Sequence, residues 1–215
     1  MDTIILDNVL PRVFAGIAEP RPSEVWSRRV ELHRGHTYLI EAASGTGKSS
    51  LCSFIVGLRR DYEGRILFDS TDISTFKPSH WAALRRTSIS ILPQELRLFP
   101  ELTAWENVCI KNQLTGCQSP QRIAEWFERL GIADRRDTLV ARMSWGQQQR
   151  VALVRALCQP FDVLLADEPI SHLDDDNASI MAGLLTEEAR RQGATLVITS
   201  IGKHMSLPYD QILHL

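Results

Sequence analysis

The chain has no apolar run approaching the ~18 residues that a membrane-spanning helix needs. Its first residues, MDTIILDNVLPRV, lack the basic segment and long apolar stretch of a secretory signal. Cysteine is sparse: Cys52, Cys109, Cys117 and Cys158 are scattered, and none forms a C-x-x-C pair. That spacing suggests neither a zinc site nor a disulfide framework, and it suits thiols in a reducing cytosol. There is no excess of positive charge. The formal net charge is −2, so nucleic acid is not expected as the main partner. Internal repeats and low-complexity tracts are also missing. What remains is a globular chain, expected to be soluble by itself and to serve a membrane only through a partner.

The 215 residues are 44% hydrophobic and 23% charged, enough for one large domain or two small lobes around a sizeable core. TIILDNVL (3–10) is apolar and β-branched and predicts a strand. Residues 11–24, with Pro11, Gly16, Pro20 and Pro22, read as a loop or irregular hairpin. RRVELHRG (28–35) and TYLIEA (37–42) predict two more strands, and KSSLCSFIVGL (48–58) has helical spacing. Short strands follow at 65–70 and 88–93. Residues 101–158 carry almost no strand signal: 125–132 and 146–158 are helical by spacing, and Ser119-Pro120 makes a helix start. FDVLLAD (161–167) and ATLVITS (194–200) are near-continuous apolar runs of the kind buried in parallel sheets, with a helix over 175–191 and a last strand at 211–215. The alternation predicts an α/β fold with a mainly parallel sheet, interrupted by a helical lobe over 95–158.

Two stretches carry chemistry. EAASGTGKSS (41–50) lies between a predicted strand and a predicted helix and matches G-x-x-x-x-G-K-[ST], with Ala42 in the place of the first glycine. Gly45 and Gly47 let backbone N–H groups turn inward as an anion nest, and the helix N-terminus adds its positive end. Ala42 is compatible with this if its φ is negative. Ala43, Ser44 and Thr46 complete the loop. Lys48 can reach the β- and γ-phosphates, Ser49 can put its hydroxyl on Mg²⁺, and Ser50 can cap the α-phosphate side. VLLADEP (163–169) delivers two carboxylates at the C-terminal end of a buried strand, where ligands of parallel sheets lie. Asp167 is a candidate Mg²⁺ holder and Glu168 a candidate general base for an attacking water. Taken singly, a glycine-rich turn and an acidic strand cap would explain either stretch without a ligand.

MSWGQQQRVALVRAL (143–157) adds a third element. It resembles the signature LSGGQ, with its following helix, of the ATP-binding cassette (ABC) ATPases. Gln94 in ILPQELRLFPELTAWENV is similar to that family's Q-loop glutamine, and SHLD (171–174) is similar to its D-loop, with Asp174 as the aspartate. Five elements stand in family order, over nearly the whole chain. The resemblance implies a P-loop NTPase core with a parallel sheet (residues 1–94 and 159–215), an antiparallel β subdomain within it, and an inserted helical subdomain (95–158), all in one nucleotide-binding domain over 1–215. It implies ATP and Mg²⁺ as ligands, with Gln94 sensing metal and water. It also implies a head-to-tail dimer, homo- or heterodimeric, in which Ser144, Trp145, Gly146 and Gln147 of one subunit close over the γ-phosphate held by the other. The family stacks adenine on an aromatic residue after the first strand; Phe14 fits by position and Trp26 is the second candidate.

Two departures stand out. Trp145 replaces the first glycine of the signature pair, and its ring has three possible settings: pointing away, covering the partner's nucleotide, or packing on the helical lobe, the one preferred here. In ITSIGKH, Ser200 holds the place of the family's switch histidine; its hydroxyl can donate to the γ-phosphate but is shorter and never cationic. His204 would reach that place only through an unusual loop. With Glu168 present, turnover is still expected. The leading expectation is therefore the ATPase subunit of an ABC transporter. It would sit on the cytoplasmic face of the plasma (inner) membrane through a separate transmembrane permease docked near residues 94–106. The chain stops soon after its last strand, so no C-terminal regulatory domain is expected. The rivals are a soluble ABC ATPase that clamps a macromolecule, and a weakly hydrolysing module that uses ATP as a dimerising ligand. Direction and cargo of transport are left open by these residues.

Overall fold

The computed structural model describes residues 1–16 and 22–215. Residues 17–21, inside the proline-rich stretch read as a loop or irregular hairpin, lie outside the described residues. Two sheets organise the chain. The first is antiparallel, in the order β2-β1-β4-β5, built from β1 (Thr3–Pro11), β2 (Arg29–His33), β4 (Tyr62–Phe68) and β5 (Thr71–Asp72). The second is wholly parallel, in the order β6-β7-β8-β3-β9, built from β3 (Thr37–Glu41), β6 (Ile89–Leu92), β7 (Val163–Asp167), β8 (Thr195–Ser200) and β9 (Gln211–His214). Among the described residues, six α-helices complete it: α1 (Lys48–Ile55), α2 (Pro78–Thr87), α3 (Ala104–Gln113), α4 (Pro120–Arg129), α5 (Trp145–Leu157) and α6 (Asp175–Gln192).

Strand periodicity explains how the parallel sheet holds two cores. Side chains of a strand alternate between faces. On one face Tyr38, Ile40, Val163, Leu165 and Val197 join α1 and the antiparallel sheet. On the other Leu39, Leu164, Ala166, Leu196 and Ile198 join α3 to α6. Both faces are dry, so β7 and β8 are buried at every residue. This is why their sequences read as continuous apolar runs.

The predicted helix over 48–58 stops earlier, at Ile55, because Gly57 takes φ +67°. The strand predicted at 65–70 begins at Tyr62 and ends at Phe68. α2 had no counterpart in the periodicity reading; Trp81 is its one buried side chain, so it carries no apolar stripe.

One buried polar cluster ties α4 to α6. Glu188, in α6, accepts hydrogen bonds from Gln118, Arg122, Arg191 and Gln192. Burial pushes its pKa up, but the bonds from Arg191 and Gln192 and the charges of Arg191 and Arg122 outweigh this and hold it below the usual glutamate value. A depressed carboxylate pKa gives stability that is present above the unfolded value, ~4.3, and is lost as pH falls through the folded one. Glu188→Gln is therefore expected to lower stability near neutral pH by about 1–3 kcal/mol, discounted for the half-exposed arginines, and to flatten the acid limb below about pH 5. Urea unfolding across a pH series checks both.

Candidate functional site

The register of the parallel sheet assembles the site. In β8, Thr199 lies beside Asp167 of β7 and Ser200 beside Glu41 of β3. The C-terminal ends of three strands thus meet at one edge. From β3 the chain passes into the 42–47 loop and on into α1. Ala42 still donates its N–H to the Ser200 carbonyl at 3.1 Å, and its φ is not among the positive ones. A methyl group at this position is no obstacle. Gly45 and Gly47 do take positive φ, +79° and +102°, as the nest requires. Thr46 is buried and turned inward, its hydroxyl donating to the Ala43 carbonyl at 2.9 Å. Ala43, Ser44 and Ser49 are exposed. Among the described residues, the N–H groups of Gly45, Thr46, Gly47, Lys48 and Ser49 make no hydrogen bond. A row of unpaired donors at a helix N-terminus suits a polyanion.

Lys48 is 5% exposed and donates to the Ala42 and Ala43 carbonyls at 3.3 and 2.9 Å. Its Nζ also lies 3.6 Å from Glu168 Oε1. The carboxylate's other oxygen, Oε2, accepts from Gln94 Nε2 at 3.4 Å. Lys48, Glu168 and Gln94, drawn from three separate segments, are therefore in one cluster. Glu168 sits there with φ +50°, a left-handed backbone uncommon outside glycine, asparagine and aspartate. Asp167 is buried and accepts from Thr199 Oγ1 at 2.5 Å. For Mg²⁺ the fit is good. Asp167, Ser49 and Gln94 offer few, hard oxygen donors, and Mg²⁺ is held by one or two carboxylates, substrate phosphates and waters.

The structure revises several placements. Ser50 does not stand free beside the loop, because its hydroxyl accepts from Arg59 Nη1 at 2.9 Å. Ser200, expected to point its hydroxyl at the phosphate, spends that proton on the Lys203 carbonyl in a tight turn. A serine side chain is short and closes on its own turn. His204 does not take over the vacant role; its Nε2 lies 3.1 Å from Glu41 Oε1. Trp26 is 8% exposed with its indole N–H on the Thr46 carbonyl, so it is buried as a prop rather than offered as a platform. Phe14 is half-buried against the same glycine: a Cβ on Gly47 would meet Phe14 Cε2 at 3.2 Å.

Ser144, Trp145, Gly146 and Gln147 form a second group at the start of α5. Ser144 caps the helix by accepting from Gln147 N–H, and Gln147 Oε1 accepts from Ser144 N–H at 3.0 Å, a reciprocal capping box. Trp145 is not packed into the helical lobe as expected. It is 43% exposed and meets His172 edge-on, with ring centroids 5.6 Å apart. Gly146 has little room, since a Cβ there would lie 3.2 Å from Leu173 Cδ2. Asp174 caps α6 through Asn177, whose bonds hold its carboxyl below the usual range. No hydrogen bond or ion pair among the described residues joins Ser144–Gln147 to the phosphate loop.

Sequence reasoning missed two residues. Thr199 donates to Asp167 and accepts the Glu168 N–H on the same oxygen. Gln149, 2% exposed in α5, donates to the Pro169 carbonyl. A hydroxyl just before Ser200 in the strand could have been suspected; nothing in the sequence marks Gln149.

A family model describing ABC transporters matches residues 27–171. This chain belongs to the ABC transporter family. An uncharacterised ABC transporter ATP-binding protein of Mycobacterium tuberculosis is 30% identical over 218 residues, covering 100% of this chain and 65% of that protein. The chain thus spans about two thirds of that relative's length. The ABC transporter ATP-binding protein YtrE of Bacillus subtilis is 33% identical over 168 residues, 77% of this chain and 73% of YtrE. Among solved structures, the dimeric post-hydrolysis state of the ATP-binding cassette MJ0796, bound to ADP and Pi, superposes with a TM-score of 0.74 at 27% identity. It covers 92% of this chain and 87% of MJ0796.

Thr199→Val removes both bonds of that hydroxyl at a buried position. It is expected to cost about 1–3 kcal/mol of stability, read by thermal or urea unfolding.

Proposed function

We propose that the chain is the ATP-binding and ATP-hydrolysing subunit of an ABC transporter, driving a separate transmembrane permease through ATP-dependent dimer closure. The observation that carries this reading is the convergence of Lys48, Glu168 and Gln94 beside a loop of unpaired N–H groups. MJ0796, similar in fold and sequence, is a dimeric cassette bound to ADP and Pi, which supports the same chemistry and assembly. No helix among the described residues is long and apolar enough to cross a membrane, so a transport role calls for a membrane partner.

The chain's residues divide the work as follows. Glycine-loop amides bind the β- and γ-phosphates, and Lys48 leaves Glu168 to meet them. Freed of that ion pair, Glu168 accepts the proton of the attacking water, which Gln94 orients. Ser49, Asp167 and Gln94 would hold Mg²⁺, which would supply neutralisation of phosphate charge. Ser144, the Gly146 N–H and the Gln147 side chain complete the site from a second subunit: the Ser144 oxygen accepts the Gln147 N–H, and its own proton remains available to a phosphate oxygen. Asp174 borders that junction. Phe14 offers an aromatic surface for adenine beside Gly47.

Ser200 bears on rate. Its hydroxyl is committed to Lys203, so contact with the γ-phosphate requires that turn to open. Three outcomes are expected from the assembled complex with its permease. Glu168→Gln lowers kcat by about 10²–10⁴-fold while ATP still binds. Lys48→Ala loses ATP binding. Ser200→His raises kcat above wild type. Steady-state phosphate release and equilibrium ATP binding measure all three. Wild-type turnover unchanged by Glu168→Gln would sink the assignment of the base.

A further inference from the structure

Trp26 lies outside every motif that brings the phosphate loop together, yet its side chain reaches that loop's turning point. Its indole Nε1–H donates to the Thr46 carbonyl at 2.9 Å in a buried setting. Its ring covers Gly47, where an added Cβ would stand 3.0 Å from Trp26 Cζ2. We propose that Trp26 is a positioning residue for polyphosphate binding: it fixes the Thr46–Gly47 peptide so that the Gly47 N–H faces the phosphates. The proposal rests on the nucleotide-binding reading above.

The argument is one of peptide geometry. A trans peptide is planar and its C=O and N–H point in opposite directions; no peptide among the described residues is cis. Holding the Thr46 carbonyl on Trp26 therefore turns the Gly47 N–H to the opposite side, where it has no partner among the described residues. Gly47, at φ +102° and ψ 15°, is the residue best able to let that peptide flip, since glycine crosses φ space at little steric cost. A flip would withdraw one donor from the nest and offer a carbonyl, with its negative end, to an anion. The indole N–H opposes that flip, and the two rings of Trp26 and Phe14 close the space the peptide would need.

Trp26 is itself anchored. The Val25 and Trp26 N–H groups both donate to Ser23 Oγ, at 3.1 and 2.8 Å. Glu24 N–H donates to the His214 carbonyl, and His214 N–H to Glu24 Oε2, both at 2.8 Å. The prop is thus tied to β9, the strand beside β3 in the sheet from which the loop springs.

Trp26→Phe keeps a ring and removes the N–H. Binding of MgATP and of tripolyphosphate, which has no base, is measured by calorimetry on wild type and variant, with thermal unfolding alongside. Both ligands are expected to weaken by the same factor, about three- to tenfold, the worth of one hydrogen bond. In wild-type protein, the Trp26 indole N–H resonance is expected to shift on adding either ligand, a readout that needs no variant to fold. Weakening for MgATP but not for tripolyphosphate would mean that Trp26 acts on the base, and would overturn the proposal. So would unchanged affinity in the variant, or an indole resonance indifferent to tripolyphosphate. A wild-type chain that binds neither ligand would overturn the nucleotide reading itself.

Discussion

The alignment of β7, β8 and β3 at their C-terminal ends is the constraint on which the rest of the site depends. In a parallel sheet every strand ends at the same edge, and β8 lies between the strand that supplies Asp167 and the strand that feeds the phosphate loop. Sliding β7 by one residue against β8 would take Asp167 from Thr199 and turn its side chain to the other face. That slip is opposed by both cores at once, because alternate residues of β7 and β8 are buried on opposite sides. The carboxylates of Asp167 and Glu168 are thereby placed by apolar packing on both faces of the sheet.

α5 and the turn before α6 extend this placement outward. Gln149 holds the backbone just past Glu168, while Ser144 and Gln147 cap the same helix one turn earlier. Gly146 lets the Leu173 side chain approach closely, so the 171–174 turn packs directly under the helix start. One helix, α5, therefore joins the Ser144–Gln147 group to the backbone that follows Glu168.

Much of this was legible in the residues, and the misses have physical reasons. The parallel strands could be read because both their faces are dry, and the loop because two glycines, a lysine and a serine stand at fixed offsets between strand and helix. The helix α2 could not, since one buried tryptophan makes no periodic stripe. Side-chain direction was the other gap. Spacing put Ser200 at the right strand end but could not show that its hydroxyl closes on Lys203; position ranked Phe14 ahead of Trp26, and packing then separated a half-open ring from a buried prop. Trp145 was misplaced for the same reason, its partner His172 being distant in sequence.

The left-handed backbone at Glu168 has a consequence for anyone wishing to make this protein more robust. A non-glycine residue held at positive φ stores on the order of 1 kcal/mol, so a stability-driven redesign would favour glycine or asparagine at that position. Either replacement would relax the chain and delete the carboxylate that lies beside Lys48. At this position a gain in stability and a carboxylate beside Lys48 thus exclude each other.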